Sequence, residues 1–195
     1  PTSTSELIMR SYVLLVAAPL MLAAPAFAQS QSGGNDAKQF LDFAAQSNQS
    51  EIQAGLAAEK KAQAPAVKAF ARLMAMDHMA LQSQLDAAAT QEKVQLPSGP
   101  SDTAKQQMAK LQSMSGEQYD TTFLSGEVKD HEQAIQRFQT EKSNAKNPTV
   151  KALATGALPI LQQHLALAQM IEQSLKSPSA ASTPSPTVGA GSHQR

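Results

Sequence analysis

No cysteine occurs among the 195 residues, so disulfides, thiolate metal sites and thiol catalysis are excluded. Tryptophan is also absent, and aromatics make up only 4% of the chain. Neither sign of charge is in excess, with 16 Lys+Arg against 16 Asp+Glu. That balance argues against a nucleic-acid partner, which needs a basic surface, and against an acidic cation sponge. No Gly-x-Ser-x-Gly elbow, glycine-rich phosphate loop or dinucleotide fingerprint appears. No stretch alternates apolar and polar residues in the manner of a strand.

What remains is rich in Ala, Gln, Leu, Lys and Met, mostly strong helix formers. The first 28 residues have the pattern of an export signal. Met9-Arg10 precedes a short apolar run over residues 12–22, and Ala26-Phe27-Ala28 fits small-x-small cleavage. Met9 reads as the start, with Pro1 to Ile8 upstream of it. The run is short for a membrane span and is broken by Pro19 and Pro25. The expectation is cleavage near Ala28, no lipid anchor, no membrane span afterwards, and a bacterial periplasmic or secreted product.

Residues 29–35 read as a polar linker and Asp36 as a helix N-cap. Apolar residues then recur every three or four positions, the period of a helix face turned to a core, in four long segments. The first runs from Asp36 to about Ala64, with Phe40, Ala44, Ser47, Glu51, Ala54, Ala58 and Ala62 on one face. Pro65 ends it and opens the next helix, about 66–93, with Val67, Phe70, Met74, His78, Leu81 and Leu85 in line. Leu96-Pro97-Ser98-Gly99-Pro100 breaks the chain, and Ser101 or Asp102 caps a short helix to about Met114. The third long segment, about 117–144, lines up Tyr119, Phe123, Glu127, His131, Ile135 and Phe138. Asn147-Pro148 starts the fourth, which ends near Lys176 with the stripe Leu153, Ala157, Ile160, His164, Leu167, Ile171 and Leu175. Residues 177–195 lack periodicity and read as a disordered tail.

The fold class is therefore all-α: a four-helix bundle over residues 36–176, with a short extra helix in its long central connection. That connection suits the crossover of ferritin-like bundles, while a plain up-down bundle with a decorated loop stays open.

Glu51, His78, His131 and His164 each lie on an apolar stripe, about 15 residues from one end of its helix. At about 1.5 Å rise per residue all four fall near mid-height. Two readings stand side by side. One is a transition-metal site (Zn, Cu or Fe) with imidazole and carboxylate ligands, in which Asp77 and Asp130 orient the rings. The other is a buried polar network that fixes helix register without an ion. A di-iron centre does not fit, because Ala75, Val128 and Leu161 stand three residues before the histidines where Glu-x-x-His would put carboxylates. Met74, Met76, Met79 and Met170 lie near in sequence or level, which would suit copper, although core filling is the stronger reading. Pro159 interrupts the last helix ahead of His164.

Phe40-Leu41-x-x-Ala44-Ala45, Glu51-Ile52-x-x-Gly55-x-x-Ala58 and Val67-Lys68-x-Phe70-Ala71-x-x-Met74 are followed by Asp77-His78, Asp130-His131 and Leu158-Pro159-x-Leu161-x-x-His164-Leu165. Together, over about residues 36–175, they resemble domain-of-unknown-function family 4142. The resemblance implies a ferritin-like bundle in an exported bacterial protein and implies no established activity. Three functions compete: a non-enzymatic, stress-related or ligand-binding envelope protein, a metal-dependent enzyme or metal-handling protein, and an interaction module with an envelope partner or a second copy of the chain.

Overall fold

A computed structural model describes residues 27–177, and their side chains from Gly34 onward. Residues 1–26, most of the expected export signal, and the expected disordered tail from residue 178 lie outside the described residues. The described residues form five helices: α1 (Phe27–Lys61), α2 (Pro65–Glu92), α3 (Asp102–Gln112), α4 (Gly116–Asn144) and α5 (Pro148–Lys176). No strand is present among the described residues.

Punctuation residues set most of the boundaries. Pro65 occupies the first turn of α2, where its missing N–H costs nothing. The Ser101 hydroxyl accepts from the Ala104 N–H at 3.2 Å, and the Asn147 carbonyl oxygen accepts from the Val150 N–H at 3.0 Å. One boundary departs from expectation: α1 begins at Phe27, so residues 29–35 are helical rather than a linker and Asp36 is no N-cap. Nothing in Gln-Ser-Gln-Ser-Gly-Gly-Asn forbids helix as proline would. Extending an existing helix avoids the cost of nucleation, and each glycine costs only about 1 kcal/mol.

Contacts at the helix ends give the topology. Lys61, at the end of α1, donates to the Gln112 carbonyl at the end of α3. The N–H groups of Gln63 and Ala64, just before α2, donate to Asp120 near the start of α4. Ser125 on α4 donates to Glu172 near the end of α5 at 2.6 Å. At the opposite end, Asn147 donates to Glu92 at 2.6 Å, joining the start of α5 to the end of α2. Hence α2 and α4 run the same way, and α1 and α5 run against them. The connection through α3 travels the length of the bundle, so the chain is two antiparallel hairpins joined by one long crossover. The hairpins meet chiefly where α2 packs on α5.

Apolar packing is split into two clusters. One holds Phe40, Leu41, Leu81, Leu85, Phe138, Val150 and Leu158; the other holds Val67, Phe70, Met74, Tyr119, Phe123, Leu124 and Ile171. Every long helix contributes to both. On α5 the buried face carries Leu158 and Leu161, while Ile160 is only half-buried. Between the clusters lies a polar layer of Asn48, Glu51, His78, Glu127, His131 and His164, all buried.

Candidate metal centre

The three histidines come from three different helices and meet in this layer. Their exposures are 2% for His78, 1% for His131 and 0% for His164. Ring centroids are 5.8 Å apart for His78 and His131, 5.3 Å for His78 and His164, and 5.4 Å for His131 and His164. Each ring offers one nitrogen within 4.8 Å of a nitrogen of the other two. A tetrahedral ion with bonds of ~2.1 Å needs nitrogens about 3.4 Å apart, so a shared ion would draw the rings together and leave a fourth position to another ligand.

One nitrogen of each ring is held by a neighbour that dictates its proton. His78 Nδ1 lies 2.8 Å from Asn48 Oδ1. The Asn48 amide nitrogen already donates to the His78 carbonyl at 3.0 Å and to Gln82 Oε1 at 2.8 Å, so its oxygen faces the ring and accepts. His131 Nδ1 donates to the Glu127 carbonyl at 2.9 Å, and His164 Nε2 donates to Asp77 Oδ2 at 3.0 Å. Each bond places the hydrogen on the held nitrogen of a neutral ring and leaves a lone pair on the other. Those remaining atoms, His78 Nε2, His131 Nε2 and His164 Nδ1, are buried and have no hydrogen-bond partner in the protein. Three acceptors without a donor cannot satisfy one another. A cation can satisfy all three, and rings oriented from behind by a carbonyl, an amide or a carboxylate are the usual support of metal-bound histidine.

A carboxylate pair adjoins the histidines. Glu51, Glu127 and His131 each bring a ligand atom within 4.8 Å of the other two, and Glu127 Oε2 lies 3.6 Å from His131 Nδ1. Burial, and then the Glu51 charge, pushes the Glu127 carboxyl well above the usual carboxylate range. Burial pulls Glu51 the same way, but His131, the Glu127 carboxyl, His78 and His164 outweigh it and hold Glu51 below its ordinary value. The two carboxyl groups are thus pushed apart, Glu127 upward and Glu51 downward. Burial lowers His78 from 6.5 to about 4 against the opposing pull of Glu51. It also lowers His164, despite the hydrogen bond to Asp77. Both rings therefore stay neutral and able to coordinate at neutral pH. A void of about 20 Å³ lies against Glu51, His78 and His131, enough for one water-sized occupant.

His78, His131 and His164 thus meet, Glu51 joins them at His131 in a second triad with Glu127, and Asp77 sits behind a ring. Asp130 does not: it is exposed and bonds to no imidazole, because this flank of α4 turns towards α1 and solvent rather than α5. Asn48 and Glu127 are members the stripes alone did not single out. Met76, Met79 and Met170 are exposed at 63%, 43% and 58%, so a thioether-rich copper shell does not form from them.

The model of a domain of unknown function, DUF4142, matches residues 22–171. The chain belongs to that family. No curated protein and no solved structure matches it. For this DUF4142 chain the match covers every residue of the polar layer, so the centre belongs to the family domain rather than to an appended segment.

Proposed function

We propose that this protein binds one transition-metal ion at His78, His131 and His164, with the buried Glu51 and Glu127 carboxyl groups beside His131. The reading rests on the three buried, lone-pair-bearing ring nitrogens that face no donor. Three imidazoles and one carboxylate suit zinc, and also copper(II) or iron. Bound there, such an ion would supply Lewis acidity inside a water-poor layer. The chain's own groups fix the rings: Asn48, the Glu127 carbonyl and Asp77 each hold one imidazole in the coordinating tautomer. The single crossover supports a ferritin-like bundle, and the pattern of residues 9–28 supports export to the periplasm or medium.

Elemental analysis of untagged protein, reconstituted separately with zinc, copper and iron and then dialysed, tests the proposal. Wild type should retain about one equivalent of at least one metal, and His78→Ala should retain less than about a tenth. Wild type falling below a tenth with every metal would overturn the assignment.

A further inference from the structure

The crossover helix packs loosely. No side chain of α3 is buried, although α3 lies across the groove between α1 and α4. Beneath it is a void of about 390 Å³, within the size range of small-molecule pockets. Its walls are largely apolar, with Ala54 from α1, Met108 and Leu111 from α3, and Phe123 from α4. Glu51 and Glu127 also line it. Glu127 is 5% exposed, and its Oε2 has no partner in the protein. A second void of about 280 Å³ continues past Met108 and Leu111 to Tyr119, whose buried hydroxyl is likewise unpartnered.

Gly126 adds an independent sign. It sits within α4 on the wall of the larger void, and a Cβ built there meets nothing within 4 Å. A glycine inside a helix costs about 1 kcal/mol relative to alanine. Gly55 has a packing reason, since its Cβ would lie 2.7 Å from the Ala71 carbonyl oxygen. Gly126 has none, and its effect is to keep the chamber wide.

We propose that the void beneath α3 is a binding chamber for a small uncharged amphiphile. The apolar body would lie on Ala54, Met108, Leu111 and Phe123, and a hydrogen-bond-donating head would reach Glu127. An uncharged head fits the lining, where Lys110 and Lys129 balance Asp130 and Glu51. The chamber shares Glu51 and Glu127 with the metal centre but needs no ion, so a test on chelator-stripped protein separates the two readings.

N-phenyl-1-naphthylamine, an apolar amine with one N–H donor, is a suitable probe for the full chain stripped with chelator. Its fluorescence should rise saturably on titration. Gly126→Leu should weaken binding about tenfold or more, the loss of one to two methylene contacts, with an unchanged or higher melting temperature and unchanged metal content. Met108→Trp, which fills the chamber from the α3 side, should weaken it similarly and decides the matter if Gly126→Leu fails to fold. 4-Butylphenol should displace the probe at least about tenfold better than octylammonium or octanoate. No saturable signal, full affinity in the folded filling variants, or better displacement by a charged competitor would overturn the proposal.

Discussion

Asp77 on α2 accepts a hydrogen bond from Nε2 of the fully buried His164 on α5, at 3.0 Å. The bond links the two hairpins and fixes which ring nitrogen keeps its lone pair. Asp77→Asn should therefore weaken metal affinity by about 10–100-fold, the usual effect of losing a group that orients a ligand. Because Asp77 is partly solvated, the metal-free protein should lose only about 1 kcal/mol. Competition titration with a chromophoric chelator measures the first quantity and thermal melts the second. Unchanged affinity would remove Asp77 from the centre.

Acid should destabilise the metal-free protein in a defined window. His78 is lowered from 6.5 to about 4 in the folded state, so folding disfavours its protonation. Its contribution is fully present above the unfolded value of 6.5 and declines as pH falls towards about 4. The loss from this group is about 3 kcal/mol. His164, shifted in the same direction, adds to it. Chemical denaturation at pH 7 and pH 4 measures the difference, and saturating metal should oppose it. Equal stabilities at the two pH values would contradict buried neutral imidazoles.

The raised Glu127 carboxyl acts with the opposite sign. Its stabilising contribution is present below the unfolded value of 4.5 and is lost as pH rises through the higher folded value. Glu127→Gln keeps the shape and removes the titration. As pH rises above 4.5, the metal-free variant should show a flatter stability profile than wild type. Parallel profiles would contradict a raised Glu127 carboxyl.

Asp120 supplies from α4 what α2 lacks locally. Its buried carboxylate accepts from the Gln63 N–H at 2.9 Å and the Ala64 N–H at 2.6 Å, while no side chain of the α2 entry caps that helix. Asp120→Ala leaves two backbone donors unpaired and should cost about 2–3 kcal/mol. That corresponds to a fall in melting temperature of roughly 5–10 °C. Metal stoichiometry should not change, because Asp120 touches none of the histidines.

The same substitution should have opposite signs at two glycines. Gly55→Ala drives a Cβ to 2.7 Å from the Ala71 oxygen and 3.0 Å from the Ala75 Cβ, so α1 and α2 must separate. A net loss of about 1–2 kcal/mol is expected, even after the gain in helix propensity. Gly126→Ala meets open space and should gain about 1 kcal/mol. Denaturant midpoints of the two variants decide both.

The helices and the four residues on their stripes were legible because both follow from local rules. Pro65, Ser101 and Asn147 mark starts, and a period of three and four marks faces. Asn48 was not legible, because α1 packs against more than one neighbour and buries a wider band than one stripe; Ser47 beside it is only half-buried. Glu127 stood on the stripe of α4, but one turn before His131 it could as easily have been a local ion pair. Only the approach of Glu51 from α1 reveals its role. Asp77 and Asp130 look equivalent in sequence, each just ahead of a histidine. The crossover makes them different, since it sets α2 against α5 and leaves Asp130 with no imidazole to hold. Which helices become neighbours depends on the path of the chain between Val94 and Ser115, where no periodicity records it.

The polar layer also has a mechanical consequence. Apolar packing transmits cooperativity from one end of a bundle to the other, and here it is interrupted at mid-height, with one cluster on either side. Each cluster draws on all four long helices, so each can hold its own end together. An ion held by α2, α4 and α5 would act as a rivet between the two ends. Without it, amide hydrogen exchange in the two halves should report separate opening free energies; with it, a single one.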